Sequence, residues 1–285
     1  MATGSNSNFN YLKYDSSLNS ENLKDCHLII SLSQTGFSLL LSDQDKRKVL
    51  LLALKAPLEG SDKNISLSEI ETLVKSLPFK IDQCQSTVVL VNFQKFSLVP
   101  EHLYSKGTGK SILAYSCRLE KGDHIYTDHW PNSEAMLVYA QPLNVMEWCS
   151  KSFNAVSFRH QATAVEYLYQ LYPKDKTFAF LFVENTCADL YLARNGKVFW
   201  YNKFNYQTEE DLLYYVLYSL EQNRFLATEL ELKVAGQVLK GEKLYQLLGR
   251  YIGTVKELPI PLGFELSSQI SPQEMKNQIN LIGAL

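Results

Sequence analysis

Gly107-Thr108-Gly109-Lys110-Ser111 ends in Gly-Lys-Ser, the tail of a loop that wraps phosphate in backbone amides and sets a lysine against the outer phosphates. The complete loop needs another glycine at position 104, where Tyr104 stands, and a buried strand leading into it. Residues 98–105, with Pro100 near their start, read as a loop or short helix, so the segment reads as a surface loop. Asp123, His124, Asp128 and His129 are residue types that bind zinc or manganese. On a strand the two histidines face opposite sides, and on a helix they lie ~140° apart, so only a turn between them would gather the set. Solvated histidines at a strand end are the simpler reading. His160 precedes an amphipathic run, where packing or capping is commoner than catalysis, and it stays a minor candidate. Tyr167, Tyr169, Tyr172, Tyr214, Tyr215 and Tyr218 recur at helical spacing without a basic cluster, which suits packing better than a base-stacking platform. No Gly-x-Ser-x-Gly elbow occurs.

The elements that would position any such group occur twice. Residues 27–33 are apolar and β-branched, Gln34-Thr35-Gly36 turns the chain, and 37–42 and 48–56 complete a three-strand meander. Ser66 with Glu69 forms a capping box for a helix carrying Leu67, Ile70, Leu73, Val74 and Leu77. Residues 87–91 then give an apolar strand buried on both faces. After Lys176 the order returns: strands over 178–183, 188–194 and 197–204, the last two joined by Asn195-Gly196, a strong hairpin signal. Thr208 and Asp211 cap a second helix, and 230–234 is the fourth strand. Ser38-Leu39-Leu40-Leu41 aligns with Asp189-Leu190-Tyr191-Leu192, and Lys48-Val49 with Lys197-Val198.

A repeat this long argues for a duplicated mixed-sheet domain and against a solenoid. Residues 1–24 read as a flexible tail and 25–172 as the first domain, with an inserted subdomain over about 96–148. Residues 173–285 read as the second domain. In the insertion, short strands are expected over 112–119, 124–129 and 135–140 and a helix over 143–152. A strand over 155–158 and a helix over 161–171 join the halves, and Ser271, Pro272 and Glu274 start a final helix carrying Met275, Ile279 and Ile282.

Two domains suit 285 residues. With 28 basic against 30 acidic side chains, the net charge of −2 offers no general attraction to nucleic acid or anionic lipid. No apolar run approaches the ~20 residues that span a bilayer. Five scattered cysteines without a CxxC pair suit reduced thiols, and a cytoplasmic protein is expected.

With this order of elements the chain resembles the actin-like superfamily of sugar kinases, Hsp70 chaperones and the bacterial cell-division and pilus-assembly proteins. It resembles more closely an uncharacterised bacterial family with a degenerate form of that fold. The fold class implied is α/β: a duplicated RNase H-like (actin-like ATPase) fold, two mixed-sheet domains around a central cleft. Working members carry Asp-x-Gly-Thr-Thr in the first hairpin, where Ser31-Leu32-Ser33-Gln34-Thr35 stands here, followed by Gly36. Their second phosphate hairpin reads Asp-x-Gly-Gly-Gly-x-x-Asp. Here Phe182 takes the place of the first Asp, Glu184-Asn185-Thr186 that of the glycines, and Asp189 the last place. Val234-Ala235-Gly236 keeps one glycine of the adenosine-contacting strand end, and His160-Gln161-Ala162-Thr163-Ala164 matches Glu-Pro-x-Ala-Ala at the inter-domain helix. The insertion around Leu98-Val99-Pro100-Glu101 resembles the extra subdomain through which the cell-division and pilus branch contacts partners.

ATP and magnesium are the cofactors the resemblance implies, but a serine and a phenylalanine in place of its carboxylates leave no cofactor and no catalytic residue assigned. The expectation is a non-catalytic scaffold or protein-interaction module, a pseudo-ATPase whose partner is another protein. The alternatives are a divergent magnesium-dependent ATPase or kinase using Glu184 or Asp189, or a binder of a different small ligand in the same cleft.

Overall fold

The computed structural model describes residues 9–33, 36–56, 66–172, 177–238 and 242–285. The first half opens with β1 (Tyr11–Tyr14), followed by the antiparallel meander β2 (His27–Ser33), β3 (Gly36–Ser42) and β4 (Lys48–Lys55). Helix α1 (Leu67–Lys75) follows, held by the reciprocal Ser66 and Glu69 bonds of its capping box, worth about 1 kcal/mol. Strand β5 (Ser86–Asn92) then lies parallel to β2. After the insertion, β9 (Val156–His160) runs parallel to β5, and helix α4 (Gln161–Gln170) leads into the second half.

The insertion has β6 (Phe96–Pro100), α2 (Gly109–Ser116), β7 (Asp123–Trp130), β8 (Ala135–Pro142) and α3 (Leu143–Ser152), its strands forming a separate sheet in the order β6-β8-β7. Two expectations fail here. Residues 112–119 are mostly helix, because Leu113 must cover the small sheet and Gly109 sits where a Cβ would lie 2.9 Å from Ile125. Residues 96–100, read in part as loop, are a strand.

The second half repeats the plan with β10 (Thr177–Val183), β11 (Cys187–Arg194), β12 (Lys197–Asn205), α5 (Glu209–Gln222), β13 (Glu231–Gly236), α6 (Lys243–Tyr251) and β14 (Thr254–Glu257). The Asn195-Gly196 turn has positive φ at both residues, 54° and 78°, as its hairpin type requires. Helix α5 starts at the Thr208 and Asp211 capping box. Of the tyrosines assigned to packing, Tyr214 and Tyr218 instead face outward, 61% and 49% exposed, and stack on one another at 5.9 Å. The chain closes with β15 (Glu265–Leu266), α7 (Pro272–Lys276) and a 3-10 segment, Ile279–Ala284. The expected final helix thus stops after five residues, although Met275, Ile279 and Ile282 are all buried.

The duplication is explicit in the sheets. The first runs β1-β4-β3-β2-β5-β9 and the second β12-β11-β10-β13-β14, so β4-β3-β2-β5-β9 and β12-β11-β10-β13-β14 are equivalent. In register, Ser31 faces Ser38 and Ser38 faces Leu54. The equivalent set in the second half is Phe182, Asp189 and Lys203.

The expected tail is a correction from Phe9 onward. Phe9, Leu18 and Leu23 are buried, and β1 pairs antiparallel with β4 from Tyr11–Leu54 to Tyr14–Leu51. The polar composition of this stretch serves local turns: Asn19 Oδ1 accepts the Glu21 and Asn22 amides at 2.9 and 3.1 Å, and Asp15 Oδ1 accepts that of Ser17 at 3.0 Å. Residues 1–8 lie outside the described residues.

The second sheet is buried on both faces. Ala179, Leu181, Val183, Leu190 and Leu192 pack on α5 and α6, while Phe178, Phe180, Phe182, Tyr191 and Tyr201 join the core of the first half and α4. Burying each such side chain contributes about 1.5–3 kcal/mol. One continuous apolar core therefore spans both halves.

Candidate functional site between the two hairpins

Ser31, Ser33, Gly36, Phe182 and Glu184 converge from the two hairpins on one cavity between the halves. Gln161 of α4, Gln237, and Asn277, Gln278 and Asn280 of the C-terminal segment complete its wall. The cavity measures ≈ 20 Å³, room for about one water molecule.

Its polar groups largely satisfy one another. Ser38 donates to Gln278 Oε1 at 2.8 Å, and Ser31 lies 3.4 Å from Gln161 Oε1. Glu184 ties the halves together: Oε1 accepts from Asn92 Nδ2 at 3.2 Å and Gln161 Nε2 at 3.3 Å, and Oε2 accepts from the Cys187 thiol at 3.2 Å. Burial, and then the Glu184 carboxylate, push the Cys187 thiol far up from its ordinary pKa, which favours the protonated thiol that donates to Glu184. Ser33 closes its own hairpin with a 3.3 Å bond to the Gly36 carbonyl. Among the described residues the buried Asn280 Oδ1, on this wall, has no hydrogen-bond partner.

The other residues expected at the cleft go elsewhere. Asn185 and Thr186 are exposed, and Asn185 borders a separate cavity of ≈ 430 Å³ with Tyr206, Gln207, Val238, Lys243 and Leu244. Asp189 is fully buried beneath the hairpin, accepting from Tyr201 OH at 2.8 Å and Lys203 Nζ at 3.2 Å. Burial raises the Asp189 pKa against the pull of Lys203. Burial also works to lower that of Lys203, but the carboxylates of Asp189 and Glu184 outweigh it and keep the ammonium charged. Gly236 has φ 92°, and a Cβ there would lie 2.1 Å from the Val183 carbonyl, so the close approach of β13 to β10 accounts for this glycine. Gln34 and Thr35 lie outside the described residues.

His160 is wholly buried and caps α4. Its Nδ1 accepts the Ala162 amide at 3.1 Å, which leaves Nε2 to donate to the Phe93 carbonyl at 3.2 Å. Burial holds its pKa down to about 3, so the ring stays neutral with both nitrogens engaged, which removes it as a proton carrier. Asp128 is drawn inward to accept from the His160 amide and Thr163, both at 2.7 Å, while His129 pairs outward with Glu101 at 3.2 Å. Among the described residues no three His, Cys, Asp or Glu side chains are placed to hold a metal ion. Gly109 and Lys110 begin α2, which no buried strand of the described residues precedes directly: the short 3-10 turn Glu101–Leu103 lies between it and β6.

Sequence reasoning missed Gln161, Gln237, Gln278 and Asn280. Only Asn280 carries a local mark, a polar residue between Ile279 and Leu281 in the apolar closing run.

The architecture is shared with solved structures. A *Bacteroides thetaiotaomicron* protein with an actin-like ATPase fold and unknown function superposes with a TM-score of 0.71 at 16% identity, covering 85% of this chain and 94% of that one. PilM in the PilM-PilN type IV pilus biogenesis complex gives 0.67 at 12% identity, covering 90% and 96%. At these identities the likeness establishes the actin-like fold. No curated protein matches the chain. The model of the family described as protein of unknown function, DUF3822, matches residues 15–255, and the chain belongs to that family.

Proposed function

We propose that this chain is a non-catalytic actin-like scaffold that binds another protein. The observation that carries this reading is the ≈ 20 Å³ cavity where the hairpins meet. A magnesium triphosphate needs room, a carboxylate free to hold the metal and its water, and amides turned toward phosphate. Ser31 and Phe182 supply no carboxylate, Asp189 is committed to Lys203, and Glu184 is committed to Asn92, Gln161 and Cys187. The residues present do not fit that group. The likeness to PilM, itself part of a complex with PilN, favours a protein partner. Among the described residues no helix is long and apolar enough to cross a membrane, and the five free cysteines suit a reducing cytoplasm, where we place the chain.

The test is thermal. Millimolar ATP with magnesium is expected to leave the melting temperature unchanged, since only a ligand that binds the native state raises it. Magnesium-dependent hydrolysis that disappears in Glu184→Gln or Asp189→Asn would sink the reading. The ≈ 430 Å³ cavity beside Asn185, Gln237 and Lys243 favours a second reading, a divergent ATPase, for which the same titration gives a clear upward shift.

A further inference from the structure

Two sheet edges face each other where the insertion meets the second half. Strand β6 is one edge of the inserted sheet and β12 one edge of the second sheet. Between them runs a groove of ≈ 240 Å³ lined by Phe96, Ser97, Leu98, Phe199, Trp200, Tyr201 and Asn202, none of them charged. The Phe96 and Tyr201 rings meet across it at 4.7 Å, tilted by 31°. Beyond the groove β12 is bridged to the residues flanking the inserted sheet's strands by Gln94 to Asn205 at 2.6 Å, and by Lys197 to Glu134.

Backbone alternation sets which groups look into this space. The β6–β8 ladder bonds Lys95 to Ala140 and Glu101 to Glu134, so the intervening Phe96 and Leu98 turn their peptide groups away from β8. The β11–β12 ladder continues from the Tyr206 amide on the Thr186 carbonyl, so the Tyr201 N–H and C=O point away from β11. No backbone partner for the Leu98 or Tyr201 amide occurs among the described residues.

The duplication shows what such an edge takes. In the first half the position equivalent to Tyr201 is Leu52, and the edge of β4 there is covered by β1, four residues running antiparallel, with Lys13 opposite Leu52. The ladder bond from the Asp15 amide to the Leu50 carbonyl, 2.7 Å, fixes the alternation that points Leu52 at β1. On β12 no strand of the described residues fills the equivalent place.

We propose that the β6–β12 groove binds an extended, uncharged polypeptide segment of another protein, which pairs antiparallel with β12 as β1 pairs with β4. Three to four residues, about 10–13 Å of strand, span the lined stretch. The absence of charge on the walls selects against acidic and basic segments, since an unpaired charge taken into the groove would lose its water without gaining a partner. Pro100, at an outward position of β6, ends the donor edge and sets the limit of pairing. The proposal deepens the scaffold reading and rests on it.

The test reads individual amides of the full chain by hydrogen exchange. In the free protein the Leu98 and Tyr201 amides are expected to exchange at least about tenfold faster than that of Leu52, the paired counterpart. Random peptides of about 12 residues, displayed and selected against the full chain, are expected to share a short uncharged core and to slow both amides on binding. Leu98→Pro removes one outward N–H that the β6–β8 ladder does not use, and Ser97→Arg sets a charge in the groove. Each should weaken the selected peptides about tenfold while the melting temperature shows that the fold survives. Slow exchange of both amides in the free chain overturns the proposal. So do a failure to enrich any peptide and peptides that bind both variants as well as the parent. Protection that grows with protein concentration assigns the groove to a second copy and likewise overturns it. A nucleotide-induced thermal shift with the exchange pattern intact would instead bring down the scaffold reading alone.

Discussion

The two halves set the same three register positions to opposite uses. In the first, Ser31, Ser38 and Leu54 are uncharged, and the Ser38 hydroxyl reaches across to Gln278. In the second, Phe182, Asp189 and Lys203 bury a ring beside an ion pair that Tyr201 completes. The comparison teaches that an acid on a hairpin strand between the halves need not face a ligand. Asp189 bonds Tyr201 and Lys203 of the strand beside it, whereas the polar contacts where the two hairpins meet are made by neutral amides and hydroxyls together with Glu184.

The sharpest way to break this contrast is to remove the acid. Asp189→Asn takes from the buried Lys203 ammonium the carboxylate bonded to it and should cost about 3–5 kcal/mol, read as a lower denaturant midpoint. A near-neutral result would mean that the pair is solvated in solution and the two hairpins are alike. Next, Gly283→Ala places a Cβ 1.8 Å from the Ala164 carbonyl and forces the C-terminal segment off α4, at about 1–3 kcal/mol of overpacking strain. Gln278→Ala leaves the buried Ser38 hydroxyl unpartnered, for about 1–2 kcal/mol in the same assay. Ser31→Ala should be mildest, under about 1 kcal/mol, because its bond to Gln161 is long at 3.4 Å.

Protonation sharpens the same comparison. In Lys203→Met, Asp189 loses its cation while burial still raises its pKa, so the folded state holds a proton that the unfolded chain releases above about pH 4. The variant's melting temperature relative to the parent should therefore fall as pH rises through that window and recover in acid. A difference that does not change with pH would show that Asp189 stays ionised without Lys203. Asp15 has the opposite sign. The Ser17 amide holds its carboxyl well below the usual range, so the stability it lends is present above about pH 4 and lost as pH falls toward its folded value. Asp15→Asn should flatten that acid limb of the parent's melting curve.

The repeated part of the fold was legible because it is written in local chemistry. Ser66 with Glu69 and Thr208 with Asp211 announce helix starts, Asn195-Gly196 announces a turn, and continuous apolar runs announce strands buried on both faces. The misreadings lie where tertiary contacts decide. Tyr11–Tyr14 is a short edge strand stabilised by β4 and not by its own composition, and residues 112–116 look β-prone yet fold as the helix that covers the inserted sheet. At the site, Ser31, Ser33, Gly36 and Glu184 were legible from their hairpins. Gln278 and Asn280 were not, since no periodicity links the last residues of the sequence to its first strands. Asp189 was legible as a position but not as a role, because its partner Lys203 lies on the next strand and only the register brings them together.

The bond from Ser38 to Gln278 joins residues 240 positions apart, and Ile279, Leu281 and Ile282 sit in the same core as β2 and β3. At ribosomal rates of roughly 5–20 residues per second, the opening meander waits on the order of ten to fifty seconds for the side chains that close over it. During that interval the first half is a nascent sheet with one face uncovered. The second half, whose α5 and α6 face is built from its own residues, does not share that dependence for its outer core. Translation therefore leaves the earlier-made half as the later one to mature, and it is the half in which a chaperone's protection would matter most.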